Sequence, residues 1–331
     1  MDIALWQSVM QNLNIYFGVF TLILGLIGNV LNIAIFTNVK TSFTKSSCSL
    51  YFIGIAVTDS FCLMIGLLSK IFTNGFGIDL TVRSNVLCKF RAYFVYSAPL
   101  ISINFTCSAA ITQFFITSRN TNYRQKMTLR FTKWTMFFTT IFWMCHGIPY
   151  TIFYNIRQSL PANATVCNSI DPIFNQYSSW MAYNISSCIM PVSILVVFGY
   201  LTHRNIALVN ETTLVQQNAL KQQIQRQLTI IIRAQILLLI VTMSPSGIFS
   251  LYTTFTASQA KSTELKSAEQ LTSNLFTCIF YLYASGSFYI FFCFSKPFRK
   301  QMSVILCNII PKRRNQVSSL GGKIHEPPVR T

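Results

Sequence analysis

Long stretches without a charged side chain dominate this sequence, and they decide the solvent in which most of it folds. Seven windows, 13–39, 46–69 (broken only by Asp59), 92–118, 134–156, 172–203, 234–260 and 271–295, otherwise carry no Lys, Arg, Asp or Glu. Each exceeds the ~20 residues needed to cross about 30 Å of hydrocarbon. Only 10% of the 331 residues are charged, against roughly 25% in soluble domains. Hydrocarbon offers backbone amides no partner, so the spans are expected to be helices. A closed barrel would instead alternate apolar and polar residues over ~10-residue strands, and that alternation is absent. The expected fold is all-α, a seven-transmembrane helix bundle.

The formal charge of +18 points to nucleic acid only until its placement is considered. With the N-terminus outside, most of the 26 basic residues fall in segments assigned to the cytosol, as the positive-inside rule requires. No nucleic-acid partner is therefore expected. The reading is a multi-pass protein of the plasma membrane: residues 1–12 extracellular, 13–294 the bundle, 295–307 an amphipathic helix and 308–331 a disordered cytoplasmic tail. The first apolar run is too long for a signal-peptide core and is read as an uncleaved span. With three His residues, His146, His203 and His325, no nucleophile, base and orienting acid come together, and no metal ligand set forms. An enzyme is not expected.

Gly28-Asn29-Val30-Leu31 in the first span and Leu50 to Asp59 in the second resemble the opening of rhodopsin-like G-protein-coupled receptors. Trp143 and Pro149 in span four, Pro191 in span five and Pro245 in span six stand about where that family carries such residues. The resemblance implies a polar network joining Asn29, Asp59, Ser102 and Ser287, with a sodium ion as its candidate cofactor. A protonated Asp59 bonded to neighbouring helices is the alternative. A charge deep in a span costs at least ~2.5 kcal/mol, which marks Asp59 for one role or the other. The resemblance further implies a disulfide between Cys88 and Cys167, hinges at Pro191 and at Met243 with Pro245, and a short amphipathic eighth helix from Phe294 to Met302. Cys307 beyond it is a lipidation candidate. Asn163-Ala164-Thr165 is the one glycosylation sequon in an exposed outer loop.

The activation motifs depart from the family pattern. Thr112-Gln113-Phe114 stands where the family carries an acid, an Arg and a Tyr, Met243 replaces a Trp, and Ser287 to Phe291 replaces Asn-Pro-x-x-Tyr. Strong architecture with weak motifs resembles divergent invertebrate orphan receptors. Alignment assigns Val95, Tyr96, Pro99, Tyr183, Thr277 and Tyr281 to a pocket between spans three, five, six and seven. Val95 takes the place of the acid that pairs with amines, so the expected ligand is a peptide or a neutral small organic molecule. A heterotrimeric G protein is the expected inner partner, with Gln113, Arg119, Arg124, Arg204 and Arg226 as its candidate contacts. The rival class, a seven-span ligand-gated channel or small-solute transporter, needs a polar pathway, for which the lone intramembrane Asp59 is thin support.

Overall fold

Backbone amides surrounded by hydrocarbon pair within their own segment, and the chain meets that demand with helix almost throughout. A computed structural model describes residues 3–38, 46–159, 164–212, 219–257 and 259–309. Seven long helices form the bundle: α1 (Leu5–Thr37), α2 (Ser47–Gly75), α3 (Asn85–Thr117), α4 (Leu129–Phe153), α5 (Pro172–Ile206), α6 (Arg226–Phe255) and α7 (Thr263–Phe294). Six are long and apolar enough by composition to cross a membrane. In α4, Trp, Tyr, His and Thr lower the mean hydropathy, yet its 25 residues extend about 37 Å. Phe137, Phe138, Ile141 and Phe142 of α4 are exposed. Such apolar side chains, pointing away from the bundle, are suited to lipid.

Helix α3 is the central post, packed against α2, α4, α5 and α6. Close crossings rely on small residues. A Cβ on Gly25 would fall 2.5 Å from Leu63 and 2.7 Å from Ser285, so glycine there lets α1 approach α2 and α7 together. The helix of the first span begins ten residues before its charge-free window, because Ile3–Asn12 is already helical. Wide turns with i→i+5 bonding interrupt several spans, at Leu13–Phe17 in α1, Cys62–Leu67 and Ile71–Gly75 in α2, and Ser178–Ile189 in α5. The last is reinforced by Asn184 Nδ2 donating to Ser179 O (2.9 Å) and Ser187 Oγ donating to Ala182 O (2.8 Å). It ends just before Pro191, whose ring would crowd a carbonyl in a regular helix.

Between α4 and α5 the chain forms a hairpin that the residue pattern did not announce, with strands β1 (Asn155–Ser159) and β2 (Ala164–Asn168) paired antiparallel. The Cys88–Cys167 disulfide ties it to the start of α3 (Cα–Cα 5.7 Å). Asn85 adds a second tie, with Nδ2 on Asn155 Oδ1 and Oδ1 accepting from Ile156 N, both 3.3 Å. At the opposite end lies α8 (Lys296–Ile309). Ser295 Oγ accepts from Phe298 N at its start (3.3 Å), an N-cap. Arg299 Nη1 donates to the carbonyls of Phe292 (3.0 Å) and Cys293 (2.8 Å), covering the free carbonyls that end α7. Phe298 is fully buried against Phe36, Phe288 and Phe291. The fold is thus the expected all-α seven-helix bundle with an eighth helix and one small hairpin.

Candidate functional site

At the disulfide end, α1, α2, α3 and α7 enclose a cavity of about 750 Å³. Of the six pocket residues expected from sequence, Val95, Thr277 and Tyr281 line it. Tyr281 reaches it across α2 because Gly66 has no side chain: a Cβ there would meet the Tyr281 hydroxyl at 2.6 Å. Tyr96 sits elsewhere, stacked on Tyr150 (centroids 4.0 Å) with its hydroxyl 2.8 Å from that of Tyr154. Tyr183 and Pro99 are not among the lining residues either. The cavity therefore lies towards α1 and α2 rather than towards α5 and α6. Lys70, which ends the charge-free window of α2, lines it while only 8% exposed. Its Nζ donates to the Asn274 carbonyl of α7 at 3.4 Å. Arg91 of α3 also lines it, with Nε donating to Ser69 Oγ (2.8 Å).

Deeper in the bundle, the four residues of the expected network are each about 1% exposed or less, but they do not form one direct chain. Ser102 Oγ donates to Asp59 Oδ1 at 2.6 Å, joining α3 to α2. Asn29 Nδ2 donates to the Ala284 carbonyl at 3.2 Å, joining α1 to α7. Ser287 accepts from Gln235 Nε2 of α6 at 3.1 Å. Gln235 was not singled out by sequence, although a lone amide within an apolar span is a signal of buried pairing. Tyr283 is 2% exposed and its hydroxyl lies 2.8 Å from Thr106 Oγ1. Asp59 Oδ2, Asn29 Oδ1 and Gln235 Oε1 are buried with no hydrogen-bond partner. Carboxyl and amide oxygens are the donor types that a hard cation takes.

Near the end that carries α8, Gln113 is fully buried. Its Nε2 donates to Thr229 Oγ1 of α6 at 2.7 Å, and its Oε1 accepts from Cys48 Sγ of α2 at 3.3 Å. The α3–α6 seam is thus closed by a neutral hydrogen bond. Arg119, Arg124, Arg204 and Arg226 are exposed around this end, while Gln113 lies beneath them. Between the two ends, Cys188 Sγ of α5 approaches the Met243 carbonyl of α6 at 3.8 Å. Gly247, two residues after Pro245, packs on the same thiol, and Cys188 itself stands three residues before Pro191. Of the expected hinge positions, Met243 meets α5 through Cys188, while the Pro191 carbonyl accepts from Cys107 Sγ of α3 (4.0 Å). Asn163 lies outside the described residues, as does the side chain of Cys307.

The sequence model described as 7 transmembrane receptor (rhodopsin family) matches residues 28–288. No curated protein matches the chain.

Proposed function

The chain belongs to the rhodopsin family of seven-transmembrane receptors, and we propose that it carries an extracellular signal across the plasma membrane to a heterotrimeric G protein. In this reading the hairpin and the cavity face outwards and α8 faces the cytosol, as the distribution of basic residues requires. The ligand is a peptide or small organic molecule that enters at the disulfide-pinned mouth. The observation that carries the proposal is the asymmetry of the bundle. One end opens into a cavity, while the other is shut by Gln113 on Thr229.

A ligand shifts such an equilibrium only through unequal affinity for the two states. Binding against Val95, Thr277 and Tyr281 bears on α3 and α7. Their inner halves meet α6 through Gln113–Thr229 and Ser287–Gln235. Displacement of α6 about Pro245 breaks both bonds and uncovers Gln113 beside the exposed arginines for the G protein. No step requires the family Arg that Gln113 replaces. A sodium ion held by Asp59 Oδ2 with Asn29 Oδ1 would supply a positive charge that favours the packed arrangement of α1, α2 and α3.

The test is expression with a promiscuous G protein and a library of peptides and small organic ligands. A ligand-evoked second messenger is expected. Ligand-gated current in cells lacking G protein would overturn the reading in favour of a channel.

A further inference from the structure

The cavity wall is unusual in its charge. Lys70 is buried, and its three N–H donors meet one described protein acceptor, the Asn274 carbonyl at 3.4 Å. Arg91 uses Nε on Ser69, and its two terminal nitrogens have no protein partner among the described residues. The described residues contain one ion pair, Lys261–Glu269, and neither Lys70 nor Arg91 belongs to it. No Asp or Glu lines the cavity among those residues. Two positive charges thus share one partly dry space without a counter-charge, an arrangement that costs free energy until an anion enters. A second, independent observation lies on the facing helix: the Asn274 side chain is 8% exposed, and both its Oδ1 and Nδ2 lack a partner while the residue lines the same cavity.

We infer that this cavity is an oxyanion site, and that the ligand of the receptor carries a carboxylate or phosphate group held by Lys70 and Arg91, with Asn274 and the Tyr281 hydroxyl beside it. The inference rests on the receptor reading above and narrows it, replacing the neutral ligand expected from Val95. Guanidinium nitrogens form parallel bonds with the two oxygens of a carboxylate or phosphate, and the Lys ammonium supplies a point charge from α2. Val95 and Tyr281 leave an apolar floor for the organic remainder. Because the two cations stand on α2 and α3 and Asn274 on α7, one oxyanion would draw three helices together at the outer end.

The experiment uses the full chain in two formats, purified in detergent and expressed in cells with a promiscuous G protein. The probes are matched sets of aryl carboxylates, aryl phosphates, their methyl esters and aryl ammonium compounds. Acids are expected to raise the Tm of the purified protein and to evoke signal, whereas esters and ammonium compounds do neither. The more potent acid class tells carboxylate from phosphate. Lys70→Gln and Arg91→Gln are each expected to weaken acid binding by at least about 10- to 100-fold, the loss of a hydrogen bond to a charged group, with the larger effect at Arg91, where two parallel bonds go. Lys70→Arg keeps the charge, retains the preference for acids and shows that position 70 can be changed without loss of folding. Acids that bind no better than their esters, or that are indifferent to both Gln variants, would overturn the inference. Signal evoked by uncharged probes alone would overturn it while leaving the receptor reading intact. Acids that bind the purified chain but evoke no second messenger would sustain the site and count against the signalling role.

Discussion

Replacing Thr229 with Val removes the hydroxyl that accepts from Gln113 Nε2 while keeping nearly the same side-chain volume, so it probes the bond that closes the α3–α6 seam. That bond is 2.7 Å long and its donor is fully buried. A neutral hydrogen bond contributes about 0.5–1.5 kcal/mol net, which corresponds to roughly a 2- to 12-fold change in the ratio of closed to open bundle at 1.4 kcal/mol per tenfold. In the open state Gln113 meets water, so the loss falls on the closed state alone. Basal second messenger at matched surface density is expected to rise by that factor. Spin labels at the inner ends of α3 and α6 are expected to report a larger population of long distances without ligand or G protein. Gln113→Leu should open the seam as well, and the two substitutions together should give less than the sum of their effects, because both delete the Gln113–Thr229 bond, Gln113→Leu losing the contact with Cys48 Sγ besides. Basal output and distances equal to wild type in Thr229→Val, or strict additivity in the double variant, would refute the seam as the element that holds the closed state.

Asp59→Asn is expected to remove any dependence of Tm on sodium relative to choline, which thermal melts in the two salts would measure. A wild-type protein already indifferent to sodium would leave Asp59 as a hydrogen-bonding residue only. Loss of the disulfide in Cys88→Ser or Cys167→Ser is expected to cost about 2–5 kcal/mol and to lower the surface-exposed fraction of a tagged receptor. Phe298→Ala removes a fully buried ring from the Phe36, Phe288 and Phe291 cluster. A loss of about 3–5 kcal/mol in the docking of α8 is expected, read as a lower Tm in detergent. Asn163→Gln is expected to abolish an endoglycosidase-sensitive shift in apparent mass, which would place the hairpin outside the cell.

The spans were legible in sequence because a single requirement, the pairing of backbone amides in hydrocarbon, acts on every residue of a window and needs no partner to be known. Asp59 stood out for the same reason, as a charge where none is tolerated without a role. Contacts between helices were harder to read, because they depend on rotation about each axis. Tyr281 and Tyr283 are two residues apart and so point about 200° apart on α7. One lines the cavity and the other faces Thr106. Lys70 falls just past its charge-free window, which ends at Ser69, yet helical residues continue to Gly75 and keep it within the bundle. Thr229 and Gln235 gave no charge or motif to follow. Their partners on α3 and α7 are set by helix crossing angles that the residue pattern does not encode.

The wide turns of α2 bear on how this receptor tolerates changes in length. Each i→i+5 turn absorbs roughly one residue more than a regular turn, so everything beyond it stands about 100° short of where the same number of residues in a regular helix would bring it. The turn at Cys62–Leu67 stands between Asp59 and Lys70, so the azimuth of the cation is counted from the carboxylate through that extra residue. Deleting a single amino acid there would let the turn close to a regular one and keep the ammonium near its azimuth, whereas the same deletion in a regular stretch of α2 would swing it about 100° around the helix.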